Sequence, residues 1–106
     1  MRTPIYENHE RDAQDNPAGG VSVGRGFTIA WQNGPLAVDG LRREPNGAFV
    51  EDVIQAVIGR IREYQASKFA CQENADALRG LEIAAARLDD RTKNRDARGV
   101  EGTHAV

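Results

Sequence analysis

The sequence predicts an α+β fold: a small N-terminal antiparallel sheet followed by a long antiparallel two-helix hairpin, assembled as a homo-oligomer. Three observations lead there. The apolar residues repeat every second position before Val38 and every three to four positions after Asn46. Two consecutive amphipathic stretches are separated only by a short polar joint near Ser67. Finally, 106 residues with 40% hydrophobic content form one small domain, and the first helix carries apolar residues on more of its circumference than one partner helix can cover. Neighbouring chains are expected to supply the missing layers.

Residues 1–20 read as a flexible N-terminal arm. They mix Glu7, Glu10, Asp12 and Asp15 with Arg2 and Arg11, end in Asn16-Pro17-Ala18-Gly19-Gly20, and show no hydrophobic period. Residues 21–106 form the single folded domain, with the sheet at about 21–40. Phe27, Ile29 and Trp31 alternate with Thr28, Ala30 and Gln32, as a strand with one buried face requires. Val21-Ser22-Val23 is a short partner strand. Asn33-Gly34 signals a turn, and Leu36-Ala37-Val38 returns as a further strand, kept short or on an edge by Pro35. Asp39-Gly40 and Glu44-Pro45-Asn46-Gly47 mark loops.

The first helix is expected at about 47–65. Phe49, Val50, Val53, Ile54, Val57, Ile58 and Ile61 recur at helical steps, with Tyr64 at the end and Asn46 or Gly47 as the cap. The second is expected at about 68–98, capped by Ser67, with Cys71, Ala75, Leu78, Leu81, Ala85 and Leu88 along its seam and Gly99 at the left-handed stop. Gly80 and Ala84-Ala85-Ala86 leave room for another backbone to approach.

Several function classes are disfavoured. A net charge of −2 speaks against coating nucleic acid or an anionic membrane by bulk charge. Asp89, Asp90 and Asp96 interrupt the basic run, so DNA binding by the second helix is not expected. No apolar run approaches the roughly 20 residues of a membrane helix. A single cysteine, Cys71, fits a reduced cytoplasm. Gly24-Arg25-Gly26 is followed by Ile29 where a dinucleotide fingerprint needs a third glycine. The two histidines, His9 and His104, lie near opposite ends of the chain, which argues against a His-based triad or a metal site. No enzyme and no cofactor are expected.

Arginine placement is the positive signal. Arg91, Arg95 and Arg98 follow one another at steps of four and three. At 100° per residue, Arg95 falls within about 20° of Leu88 around the helix axis, and Arg91 within about 60°. The row admits two readings. In one, the arginine stems cover apolar surface while Asp89, Asp90 and Asp96 balance charge. In the other, the guanidinium forks take a phosphate or pyrophosphate bidentately. Tyr64 and Phe69 flank the joint beside Lys68, Gln72 and Asn74, and an aromatic plane with a nearby amide suits adenine recognition. The alternative is that both rings plug the end of the hairpin. Within one hairpin, Tyr64 sits at the joint while Arg91 and Arg95 lie about 30 Å or more along the second helix. A site made of both groups must therefore straddle two chains.

Phe69-Ala-Cys-Gln-Glu-Asn-Ala75, Leu88-Asp-Asp-Arg-Thr-Lys-Asn-Arg95 and Arg98-Gly-Val-Glu-Gly-Thr-His104 carry a resemblance, with Gln32-Asn33-Gly34-Pro35 upstream. The chain from about residue 27 to 104 resembles the Thoeris anti-defence sponge family of phages, whose helical hairpin is shared with the anti-CBASS cyclic-nucleotide sponges. The resemblance implies dimers assembled into hexamers in the infected host cytosol, no catalysis, and capture of cyclic ADP-ribose isomers made by TIR-domain enzymes. It also implies cyclic di- or trinucleotides at separate assembly sites in members of the family. The family's ligand residues fall on Tyr64, Asn74, Arg91 and Arg95. A further family arginine falls on Arg42 or Arg43, and Arg98 extends the row. The residues after Leu88 lack the aromatic often present in relatives. The alternative function is an oligomeric adaptor or scaffold that binds a protein partner along the arginine edge.

Overall fold

A computed structural model describes residues 5–100 and 102–105. The element order is β1 (Tyr6–Arg11), β2 (Pro17–Gly24), β3 (Phe27–Ala30), β4 (Ala37–Val38), β5 (Leu41–Arg42), α1 (Val50–Gln65) and α2 (Gln72–Ala97). The chain divides into two compact units, one comprising the sheet region with the C-terminal residues from Val100, the other the helices over Val50–Gly99.

In the first unit β1, β2 and β3 form an antiparallel sheet with β2 in the centre. This corrects the expected arm. Tyr6 pairs with Val23 and His9 with Gly20, so residues 6–11 are an edge strand and β2 already begins at Pro17. All six residues of β1 are exposed. The strand is held by its backbone ladder, with no apolar face to reveal it in the sequence. Between β1 and β2 the Asp12 carboxylate closes the turn: its Oδ1 accepts the N–H groups of Gln14 and Asn16, each at 2.9 Å. Residues 1–4 of the expected arm, and Glu101 of the C-terminal string, lie outside the described residues.

Ile29 and Trp31 are half-buried and Thr28 and Ala30 exposed, as the alternation predicts, but Phe27 is exposed. Phe27 pairs with Gly24 at the mouth of the two-residue Arg25-Gly26 turn and lies against that glycine. Trp31 Nε1 donates to Ser22 Oγ at 2.9 Å, which accounts for a serine that is only 5% exposed.

Leu36–Val38 does not return along β3. The chain leaves the sheet after Asn33, and β4 pairs instead with β5 across Asp39-Gly40. Both turn residues have positive φ, 52° and 77°, the conformation of the tight hairpin turn that Asp-Gly favours. The neck of this excursion is closed by amides. Asn33 N–H donates to Asn46 Oδ1 at 2.9 Å, and Asn46 Nδ2 donates to the Asn33 carbonyl at 2.8 Å. Gln32 Oε1 accepts from the Asn46 and Gly47 N–H groups. Asn46 is thus spent on the loop and does not cap a helix, which is why α1 starts at Val50 and not at 47.

In the second unit α1 and α2 pack as a hairpin. Ile58, 2% exposed, is the buried residue of α1. Along α2 the half-buried stripe runs through Ala75, Leu78, Leu81, Ala84, Ala85 and Leu88, close to the predicted seam. No residue of α2 is fully buried, and Ile83 (55% exposed) and Val57 (42%) face outwards. A Cβ on Gly80 would meet nothing within 4 Å among the described residues, so no described backbone uses that approach.

The joint also differs from expectation. Ser67 does not cap α2; its hydroxyl donates to the Tyr64 carbonyl at 2.6 Å and accepts the Phe69 N–H, tightening the end of α1. Residues 68–71 therefore stay outside the helix. Cys71 is an exposed N-cap and not a seam residue, with its N–H and carbonyl both held by the Gln65 amide. At the far end Gly99 takes φ 73° and donates to the Asp96 carbonyl, the left-handed stop its sequence predicts.

Candidate functional site

Tyr64 and Asn74 stand at the joint end of the hairpin. Tyr64 is 46% exposed in the last turn of α1, and the Arg60 guanidinium, one turn earlier, lies 5.9 Å from its ring centroid. The sequence reading missed Arg60, although an i, i+4 step between a cation and a ring was there to be seen. Asn74 is half-buried in the first turn of α2, and its Nδ2 donates to the Phe69 carbonyl at 3.3 Å. Its Oδ1 accepts no hydrogen bond among the described residues. Phe69 is 68% exposed with the Lys68 ammonium 5.3 Å from its centroid, so it does not plug the hairpin.

Arg91, Arg95 and Arg98 stand at the other end of α2. By helical rise, Arg91 lies about 25 Å and Arg95 about 30 Å along the axis from Asn74. One hairpin therefore places Tyr64 and Asn74 at its joint end and Arg91 and Arg95 towards the other end of α2, too far apart for one chain to join the two pairs. Arg95 is half-buried and continues the Leu88 stripe, as its angle predicts. Arg98 is exposed at the C-cap and donates from Nε to Asn94 Oδ1 at 3.0 Å.

The charge balance of this end is specific. Lys93 Nζ lies 2.9 Å from Asp89, and Arg87 Nη1 3.1 Å from Asp90. Hydrogen bonding to Asp89, then its charge, pushes the Lys93 ammonium above its ordinary range. The aspartates beside Arg91 thus serve other cations. Arg91 is exposed and has no carboxylate partner among the described residues. The groups one turn away from it are Arg87, Leu88, Asn94 and Arg95, none of them acidic. Two guanidiniums one turn apart, one half-buried and one uncommitted, form a fork suited to a multiply charged anion.

Arg42 closes β5 and Arg43 follows it; both side chains are exposed. Among the described residues no group of His, Cys, Asp and Glu is arranged to hold a metal ion. No described helix is long and apolar enough to cross a membrane.

This hairpin, with its ring at one end and its arginine fork at the other, matches a known family. The family model described as "Acb2/Tad1, hairpin domain" matches residues 25–93, well over half of the 106 residues. The chain belongs to that family. The match includes Tyr64, Asn74 and Arg91, and ends two residues before Arg95. More particularly, the chain is similar to the protein "Thoeris anti-defense 1" of Bacillus phage SBSphiJ7, with 44% identity over 82 residues. That alignment takes in 77% of this chain and 55% of the relative, so the chain spans about half the length of the protein it matches.

Proposed function

We propose that this chain is a non-enzymatic phage anti-defence protein that sequesters cyclic ADP-ribose isomers produced by TIR-domain defence enzymes. Membership of the hairpin family and the 44% identity to a Thoeris anti-defence protein support the class of function. The observation that carries the ligand chemistry is the arginine fork: Arg91 without a carboxylate partner among the described residues, one turn from half-buried Arg95. In this reading the fork of one protomer neutralises the pyrophosphate. Tyr64 of a second protomer stacks on the adenine and Asn74 bonds the base or ribose. A dimer running in opposite directions brings the two ends together, and further assembly leads to a hexamer. Arg42, Arg43 and Arg98 are additional cations for the phosphates.

Emptying a signalling pool requires nanomolar affinity, about −12 kcal/mol. Charge-assisted bonds to a desolvated diphosphate, base stacking and a preformed cage supply terms of that size. No acid–base pair is needed, because the ligand is held and not cleaved.

The test is co-expression with a TIR-domain synthase, purification, heat denaturation and mass spectrometry of the supernatant. Recovery of an intact cyclic isomer in stoichiometric amount supports the proposal. Recovery of linear ADP-ribose would mean an enzyme, and protein free of 260 nm absorbance would favour the adaptor reading. Cyclic di- and trinucleotides, assayed the same way with their own synthases, are the second ligand class to screen.

A further inference from the structure

The C-terminal string after Arg98 has no part in the proposed ligand set and lies beyond residue 93, where the family match ends. Its described residues are built into the sheet unit. The Gly102 carbonyl accepts the Ala37 N–H at 2.8 Å, at the start of β4. Thr103 Oγ1 donates to the Val100 carbonyl at 2.6 Å and accepts the Ala105 N–H at 3.1 Å, which folds the segment on itself. His104 Nδ1 lies 3.4 Å from Asn16 Nδ2 in the β1–β2 turn. The segment is thus fastened at the β4–β5 hairpin and again at the sheet.

That hairpin needs outside support. Its ladder consists of Ala37 with Arg42 and Val38 with Leu41, too short to hold a pose alone. Gly102 reaches the side chain as well as the backbone. It has φ 81°, and a Cβ there would stand 3.0 Å from Arg42 Nη1 and 3.5 Å from Leu36 Cβ. Only a residue without a Cβ takes this backbone conformation easily while the Arg42 guanidinium lies against it.

We propose that Gly102–Ala105 is a positioning strap for the β4–β5 hairpin, holding Arg42 and Arg43 in the pose from which they engage the ligand's phosphates. This rests on the reading of the two arginines as ligand cations given above. Prepositioned guanidiniums bind more tightly because their ordering is complete before the ligand arrives.

The experiment is a double-substitution cycle read by calorimetry, with a cyclic ADP-ribose isomer purified from a TIR-domain synthase as the probe. Gly102→Ala pushes on the far end of the Arg42 side chain and is expected to weaken binding about tenfold. Arg42→Ala weakens it by a similar factor. In the Arg42→Ala background, Gly102→Ala should add less than about twofold, because the group it displaces is gone. A chain ending at Glu101, checked by circular dichroism, should behave as Gly102→Ala does and add nothing to the Arg42→Ala, Arg43→Ala pair. If that shortened chain does not fold, the Gly102 cycle alone decides. Effects that multiply would assign Gly102 a purely structural role and overturn the proposal, as would unchanged binding by Gly102→Ala. Wild-type protein and Arg95→Ala run alongside. Wild type that fails to bind overturns the sponge reading and the strap with it. Tight wild-type binding lost in Arg95→Ala but untouched by Gly102→Ala overturns the strap alone.

Discussion

The Asp89 carboxylate meets the Lys93 ammonium at 2.9 Å, one turn further along α2. Arg91, two residues from Asp89, projects about 200° away around the same axis and takes no share of that carboxylate. Asp89 and Asp90 are thus taken by Lys93 and Arg87, and Arg91 between them has no carboxylate partner among the described residues.

Arg91 and Arg95 are like charges one turn apart, a spacing that costs a few tenths of a kcal/mol in a helix. Arg91→Gln should leave the melting temperature of the ligand-free protein unchanged or slightly raised, while weakening capture of the cyclic isomer about tenfold or more. Arg95→Ala should weaken it at least about 100-fold, since it leaves diphosphate charge buried without its partner. Calorimetry beside thermal melts checks both. A drop in stability with intact binding would return Arg91 to a structural role.

A site shared by two chains can be rebuilt from two defective ones. Tyr64→Ala and Arg95→Ala proteins each fail to bind, but a mixed dimer holds one site with both groups intact and one with neither. Co-expression of differently tagged copies followed by tandem purification should recover about half the wild-type ligand per dimer. No recovery would mean that each site lies within a single chain.

Ile58 is the buried hydrophobic residue of the described chain, at 2% exposure. Ile58→Ala should cost about 2–5 kcal/mol. For so thin a core that is a large share of the total, and urea unfolding at fixed protein concentration will report it.

Gln32 closes the neck of the 33–46 excursion through one oxygen that accepts two backbone N–H groups, from Asn46 at 2.9 Å and Gly47 at 3.2 Å. Gln32→Ala should destabilise the sheet unit by about 1–2 kcal/mol. Hydrogen exchange is expected to quicken at Asn46 and Gly47 and to stay unchanged in the centre of α2.

Asp12 is held below the usual carboxylate range, first by the Asn16 backbone N–H, with the Asn16 side chain, the Gln14 N–H and the His104 charge adding to it. A depressed folded value means that its contribution is complete above the ordinary carboxylate pKa and fades as pH falls through it towards the folded one. Lowering the pH from about 6 to about 3 should therefore loosen the β1–β2 turn, seen as faster intrinsic-rate-corrected exchange at Gln14 and Asn16. Asp12→Asn should remove most of that pH dependence.

The helical hairpin was legible because its signal is periodic. Ile58, Leu78, Leu81 and Leu88 lie where the 3.6-residue repeat puts them, and the same arithmetic set Arg95 on the seam. The ends were less legible, since Asn46 and Ser67 are good caps that the structure uses elsewhere, one on the Asn33 backbone and the other on the Tyr64 carbonyl. Cap preference is a local property, and a side chain with two possible partners goes to the one that tertiary contact brings near.

By itself the sequence determined the class of fold, the hairpin's apolar stripe, and the separation of Tyr64 and Asn74 from Arg91 and Arg95, all consequences of helical geometry along one chain. Tertiary structure alone decided that Tyr6–Arg11 is a strand, that Ala37–Arg42 forms its own hairpin, and that Gly102 fastens it. Those elements rest on backbone hydrogen bonds between distant segments. Such bonds use groups that every residue except proline carries, so they leave no periodic mark in the side chains.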